Sequence, residues 1–108
     1  MTFDEYQTAA RATAIYGHRH KVVYPALGLA SEAGEVAVKL KKVLRDQEGD
    51  FAKAPLEALE DELGDVLWYV AVLAADLGLS LEEIAARNLA KLESRRERGR
   101  LVGEGDRR

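Results

Sequence analysis

The sequence predicts an all-α protein, and three observations carry that prediction. No segment alternates apolar and polar residues with period two over a useful length, and Val22-Val23-Tyr24 is too short to build a sheet. Apolar residues recur at three- and four-residue spacing, which lays one stripe along each of four segments. Capping residues, two prolines and a few glycines separate those segments. The expected form is a four-helix bundle-type protomer, with residues 1–98 as one domain and 99–108 as an irregular tail.

Each element has its own justification. Thr2 followed by Glu5 reads as a capping box, so the first helix is expected from Phe3 to about Tyr16. Gly17 to Pro25 interrupts it with a basic connection carrying His18, Arg19, His20 and Lys21. The second helix is expected from Pro25 or Ala26 to Arg45, and the polar stretch Asp46 to Lys53, with Gly49, is a loop. Pro55 suits the first turn of the third helix, which runs to about Leu77 and is capped by Gly78. Ser80 with Glu83 forms a second capping box, Leu79 and Ile84 a hydrophobic staple, and the fourth helix extends to about Arg98. From Gly99 onward, Gly103 and Gly105 punctuate a stretch with no periodicity.

Composition narrows the function. The 108 residues are 47% hydrophobic and 32% charged, which is the balance of a globular chain and not of a disordered one. There is no cysteine, which excludes a disulfide framework and a cysteine zinc site. A net charge of -3 argues against a nucleic-acid polymer as partner. The charge is uneven: from Glu93 onward six arginines face four acids, so the acid excess sits in the body of the chain. The longest apolar run, Val66 to Ala75, is about half of the ~20 residues a membrane helix needs. The first residues, Met1-Thr2-Phe3-Asp4-Glu5, lack the basic-then-apolar order of a signal peptide. A cytoplasmic protein with no membrane partner is the expectation.

The most informative feature is an internal echo. Leu29-Ala30-Ser31-Glu32-Ala33-Gly34-Glu35-Val36 returns thirty positions later as Leu59-Glu60-Asp61-Glu62-Leu63-Gly64-Asp65-Val66. Each copy reads Leu-x-x-Glu-x-Gly-acid-Val. At ~100° per residue, Leu29, Ala33, Val36 and Leu40 form one apolar stripe, and Leu59, Leu63, Val66 and Val70 another. In each copy the two acids lie to the same side of the stripe, so packing the stripes together could gather Glu32, Glu35, Glu62 and Asp65 around one point. Four carboxylates at one point repel, and either take up protons or bind a cation. Hard oxygen donors select Mg²⁺, Mn²⁺ or Ca²⁺. The plain alternative is a pair of solvated helix edges, with Glu35 and Lys39 as a surface i,i+4 pair. Repetition in register on two helices weakens that alternative. Gly34 and Gly64, at matching interior positions, are assigned to close packing. A di-iron bundle would need Glu-x-x-His on two helices, whereas His18 and His20 sit together in the connection.

At these residues the sequence resembles the MazG-like all-α nucleoside triphosphate pyrophosphohydrolases. That family carries Glu-Glu-x-x-Glu, a spacer and Glu-x-x-Asp as magnesium ligands. Glu32, Glu35, Glu62 and Asp65 match the last four acids, while Ser31 stands where many members have the first glutamate. Tyr24-Pro25-Ala26-Leu27-Gly28-Leu29, Leu67-Trp68-Tyr69, Asn88-Leu89-Ala90-Lys91-Leu92 and the ending from Arg98 to Asp106 extend the resemblance along nearly the whole chain. It implies hydrolysis of a nucleoside triphosphate to monophosphate and pyrophosphate, with Mg²⁺ (Mn²⁺ as substitute) clamping phosphate oxygens and placing an attacking water. Glu32 or Glu35 is the expected base. The role implied is clearance of unwanted nucleotides; a non-catalytic helical module that binds nucleotide or protein is the alternative.

Substrate contacts follow from position and resemblance together. Asn88 falls on the apolar stripe of the fourth helix, where it is either a satisfied interface asparagine or a substrate contact. Lys91 and Arg95 are candidates for phosphate, against solvated side chains as the alternative. Tyr69, on the acid side of the third helix, is a candidate sugar or base contact, and Trp68 is read as packing. Finally, Val66 to Ala75 is apolar on every face, and a chain this short has too little else to cover it. An obligate homo-oligomer follows, a homodimer or homotetramer, with helices packed across the subunit interface.

Overall fold

The computed structural model describes residues 1–108 and contains four α-helices and no strand. Helix α1 spans Phe3–Ala12, α2 Val23–Asp46, α3 Leu56–Asp76 and α4 Leu81–Glu97, with short 3-10 turns at His18–His20 and Phe51–Lys53. Helices α2 and α3 form the long antiparallel hairpin. Helix α1 packs on α3, and α4 packs on α1 and on the end of α3 after the chain turns by 105°. No single helix is long and apolar enough to cross a membrane.

Local chemistry sets the ends of these helices. The Thr2 box is complete: the Glu5 amide donates to Thr2 Oγ1 at 3.1 Å, and the Thr2 amide donates to Glu5 Oε1 at 3.3 Å. Helix α1 stops at Ala12, earlier than the sequence suggests. The Thr13 hydroxyl donates to the Ala10 carbonyl at 2.7 Å, and the chain then turns so that the Tyr16 hydroxyl reaches Asp76 Oδ2, also at 2.7 Å. The Schellman end of α3 forms as expected. Gly78 sits at φ +74°, the Leu79 amide donates to the Ala74 carbonyl at 2.8 Å and the Gly78 amide to Ala75 at 3.0 Å.

The second capping box forms only by half. The Glu83 amide donates to Ser80 Oγ, but Ser80 Oγ in turn donates to Asp4 Oδ1 at 3.1 Å, which ties α4 to α1. Leu79 and Ile84, the expected staple, both stay exposed. Gln7 secures the same corner: its amide nitrogen donates to the Ala71 and Leu79 carbonyls, and its oxygen accepts from the Leu81 amide. Beneath it, Ala10, Ala71, Val72 and Leu81 form the core, ringed by Tyr6, Trp68, Tyr69 and Val70.

Helix α2 begins two residues before Pro25, and its start is a strained point of the backbone. Val22 has φ 67° and ψ -58°, and the Val23 amide donates to the Lys21 carbonyl at 2.7 Å, which closes a tight γ-turn. A β-branched residue does not adopt positive φ without compensation. Asp76 supplies it: this carboxylate, with no exposed side-chain surface, accepts the Val22 amide, the Tyr16 hydroxyl and the Arg11 guanidinium. Burial alone would raise the Asp76 pKa, but those three donors together hold it below the ordinary carboxylate value.

Taken as a single chain, the molecule is open. Its radius of gyration is 16.8 Å, against about 13 Å for a compact domain of this length, and nine residues are buried. Leu27, Leu44, Leu56, Leu63 and Leu67 on the hairpin, and Ile84, Leu89 and Leu92 on α4, remain exposed.

Candidate metal centre

The internal echo is visible in three dimensions. Residues 31–40 of α2 and 61–70 of α3 follow the same order of half-buried and exposed positions, residue for residue. The seam, however, is rotated from the sequence expectation. Glu32, Val36, Lys39, Leu40 and Val43 face Leu59, Glu62, Val66, Tyr69 and Val70, whereas Ala33 and Leu63, placed on the packing stripes by sequence, point outward and are exposed. The first acid of each pair thus lies on the seam itself, where the opposite helix can supply a partner.

That rotation brings three of the four predicted acids together. Glu32, Glu62 and Asp65 offer carboxylate oxygens that all lie within 4.8 Å of one another. Glu35 is not in the group: it is exposed and makes no side-chain hydrogen bond, although its charge still acts on Glu32. The close approach of the Glu62 carboxylate, within hydrogen-bonding reach, is the largest cause of a raised Glu32 pKa, followed by partial desolvation and by the charges of Glu62, Asp65 and Glu35. The same contact with Glu32, together with Lys39, lowers the pKa of Glu62. Lys39 therefore does not pair with Glu35 along its own helix. Its Nζ reaches across the seam to Glu62 Oε1 at 3.1 Å.

An aromatic wall stands beside the acids. Tyr16 stacks on Tyr24 with centroids 4.9 Å apart, Tyr24 leans on Tyr69 at 6.4 Å, and Trp68 meets Tyr69 edge-on at 5.0 Å. Partial burial raises the Tyr69 pKa, then Tyr24 and the charges of Glu32 and Asp65 raise it further; Tyr6 is raised by desolvation and by Asp65. Tyr69 is thus beside the cluster, as the sequence suggested. The glycine that makes this possible is Gly28, where a Cβ would fall 2.1 Å from Tyr69 Cε1. Gly34 and Gly64, assigned to close packing from the sequence, have nothing within 4 Å of a built Cβ in the single chain. Trp68 is a packing residue, its Nε1 donating to Thr13 Oγ1 at 2.8 Å.

Within one chain the remaining predicted substrate residues lie elsewhere. Asn88 and Lys91 line a separate groove between α4 and the tail, and Asn88 is exposed, not set in a covered apolar stripe. Lys91 donates to Asp106 Oδ1 at 2.7 Å, and Arg95 is buried beneath the tail, bonded to the Asp106 carbonyl and carboxylate. The basic residues His18, Arg19 and His20 stay exposed on their 3-10 turn. Sequence reasoning missed Asp76, Gly28 and the Tyr16–Tyr24 stack. The signal for Asp76 was an aspartate at the end of an otherwise apolar run, and Tyr24 and Gly28 stood within the Tyr24–Leu29 stretch without a role assigned.

The donor set suits a hard divalent cation. All three groups are carboxylates; Mg–O bonds of about 2.1 Å place ligand oxygens roughly 3–4 Å apart, and the three oxygens here already lie within 4.8 Å of one another. A helical hairpin with Glu32 on one arm, Glu62 and Asp65 on the other, and an aromatic wall beside them defines an all-α protein with a three-carboxylate cluster of the kind that could hold a divalent cation. The family model described as the MazG nucleotide pyrophosphohydrolase domain matches residues 25–99, and the chain belongs to that family. Family members are typically divalent-metal dependent and act on nucleotide phosphoanhydride bonds. The chain is also similar to the "Gene 37 protein" of Mycobacterium phage L5, 46% identical over 114 residues that cover 100% of both sequences. No solved structure matches it.

Proposed function

We propose that the protein hydrolyses nucleoside or deoxynucleoside triphosphates to the monophosphate and pyrophosphate with Mg²⁺, Mn²⁺ serving as a substitute, and that it clears nucleotides from the cytoplasmic pool. The observation that carries this reading is the convergence of Glu32, Glu62 and Asp65 in a chain of the MazG family. These three carboxylates hold the cation, which supplies charge neutralisation on the phosphates when bound. Glu35, one turn from Glu32 and free of other bonds, takes the proton of the attacking water. Tyr69 and its neighbour Tyr24 offer ring faces for the nucleoside. Gly28 keeps Tyr69 in place, and Asp76 fixes Tyr16 beneath Tyr24.

The working form in this proposal is a homo-oligomer, a dimer or a dimer of dimers. The exposed leucines of the hairpin and of α4 make an apolar surface that a second copy covers, with two hairpins completing a four-helix bundle. Asn88, Lys91 and Arg95 reach a metal centre in this arrangement only from the neighbouring copy. Residues 1–98 are read as the catalytic domain, and the tail as the cover of α4. The test is pyrophosphate release from a panel of canonical and modified triphosphates with Mg²⁺, in wild type and in Glu35→Gln. The reading requires turnover of at least one substrate and loss of it in the variant. Tight nucleotide binding without product would favour the non-catalytic module instead.

A further inference from the structure

The internal symmetry of the hairpin is broken in one respect that bears on how a substrate lies. The thirty-residue echo that aligns Glu32 with Glu62 also aligns Lys39 with Tyr69. In each arm this position falls two turns beyond the first acid, and because the arms are antiparallel, the two lie at opposite ends of the acid cluster. One end is therefore aromatic, with Tyr69 and Tyr24. The other is cationic, with Lys39 bonded to Glu62.

The cationic end does not stop at Lys39. The last two turns of α2, the Phe51–Lys53 turn and the start of α3 border an open cavity of about 230 Å³. Lys39, Lys42 and Lys53 line it, together with Asp46 and Pro55. Asp46 is already neutralised by Arg45, through bonds of 2.7 and 2.9 Å. Lys42 and Lys53 make no ion pair. Lys39 lines the cavity and its Nζ bonds Glu62 of the acid cluster, so this one side chain links the two. By contrast, Lys91 and Arg95 are engaged by Asp106 on α4, which makes no packing contact of note with α2.

We propose that this cavity receives the terminal phosphates of the substrate, and the departing pyrophosphate, with Lys39, Lys42 and Lys53 as its cationic contacts. This rests on the triphosphate reading above and adds a direction to it. The nucleoside lies toward Tyr69 and Tyr24, the phosphate being cleaved sits over Glu32, Glu62 and Asp65, and the outer phosphates extend toward the Phe51–Lys53 turn. Two unpaired ammonium groups near a polyanion provide charge-assisted hydrogen bonds and attract it over a Debye length. Lys39 has a second consequence: its ammonium already compensates one negative charge of the cluster, which leaves less charge for a second cation to neutralise.

The experiment is calorimetry with inorganic pyrophosphate plus Mg²⁺, and separately with a nucleoside monophosphate, on the full chain and on Lys42→Gln/Lys53→Gln. Both lysines are exposed, so the double variant keeps its melting temperature. Pyrophosphate affinity falls about tenfold or more in the variant, while monophosphate and Mn²⁺ affinities stay within about twofold. Lys39→Gln also weakens pyrophosphate, yet tightens Mn²⁺ by removing the competing ammonium. Unchanged pyrophosphate affinity in the double variant, or equal weakening of both ligands, overturns the cavity proposal. A double variant that binds pyrophosphate normally while wild type turns over triphosphate rejects the cavity alone. A wild type that neither binds Mn²⁺ nor releases pyrophosphate rejects the underlying function as well.

Discussion

Gly28→Ala is the substitution whose effect the structure constrains most closely. A Cβ at this position would lie 2.1, 2.4 and 2.6 Å from Cε1, Cζ and Cδ1 of Tyr69, whereas ordinary contact begins at 3.4 Å. The ring must retreat by about 1.3 Å, and it is wedged between Tyr24 and Trp68. Overpacking of this kind costs roughly 1–3 kcal/mol, and the better helix propensity of alanine returns up to ~1 kcal/mol. A net loss of about 1–2 kcal/mol lowers the melting temperature by roughly 5–10 °C in a domain of this size. Thermal unfolding followed by circular dichroism measures it. In a Tyr69→Ala background the clash is gone, so the same substitution becomes neutral or stabilising, and the double-mutant cycle shows a coupling above about 1 kcal/mol. Gly28→Ala melting at or above wild type would refute the packing argument, as would an equal loss in both backgrounds.

The remaining predictions concern the buried carboxylate, the cluster and the exposed face. Asp76→Asn leaves three donors with a weaker acceptor and releases the Val22 turn, costing about 1.5–3 kcal/mol by chemical denaturation. Because the folded-state pKa of Asp76 lies below its unfolded value, its contribution is complete above pH ~4 and disappears as pH falls through the folded value. The acid limb of the wild-type stability profile should therefore flatten in Asp76→Asn. Glu62→Gln removes one donor and weakens Mn²⁺ binding at least about tenfold by paramagnetic resonance, whereas Glu35→Gln keeps Mn²⁺ within about twofold and loses turnover. Leu63→Glu/Leu67→Glu shifts sedimentation from oligomer to a poorly folded or monomeric chain; unchanged sedimentation would remove the hairpin face from the interface.

Much of the helical framework was legible because it is written in local chemistry. Thr2 with Glu5, Gly78 and Ser80 mark ends through bonds spanning at most five residues, and all three formed. The end of α1 was not legible, because Tyr16 leaves the helix for Asp76, sixty positions away. The acid cluster was visible as an echo, yet its membership was not. Helical angles alone place Glu32 and Glu35 on one side, whereas the rotation of the seam, set by contacts such as Gly28 on Tyr69, decides which acid faces the opposite arm. The plain alternative paired Lys39 with Glu35, because only same-helix neighbours can be seen in a sequence, whereas Lys39 bonds Glu62 across the seam. Gly34 and Gly64 carry the same lesson. Their spacing marked them as unusual, but the close contact within the chain belongs to Gly28.

The proposed function stands on a divalent cation held by Glu32, Glu62 and Asp65, at which a triphosphate is cut. The most direct measurement is phosphorus NMR of wild type and Glu62→Gln incubated with a mixture of nucleoside triphosphates and Mg²⁺, with and without chelator. Wild type is expected to give monophosphate and pyrophosphate, and the variant and the chelated sample neither. Orthophosphate with diphosphate as products, or pyrophosphate release that survives both the variant and the chelator, would contradict it.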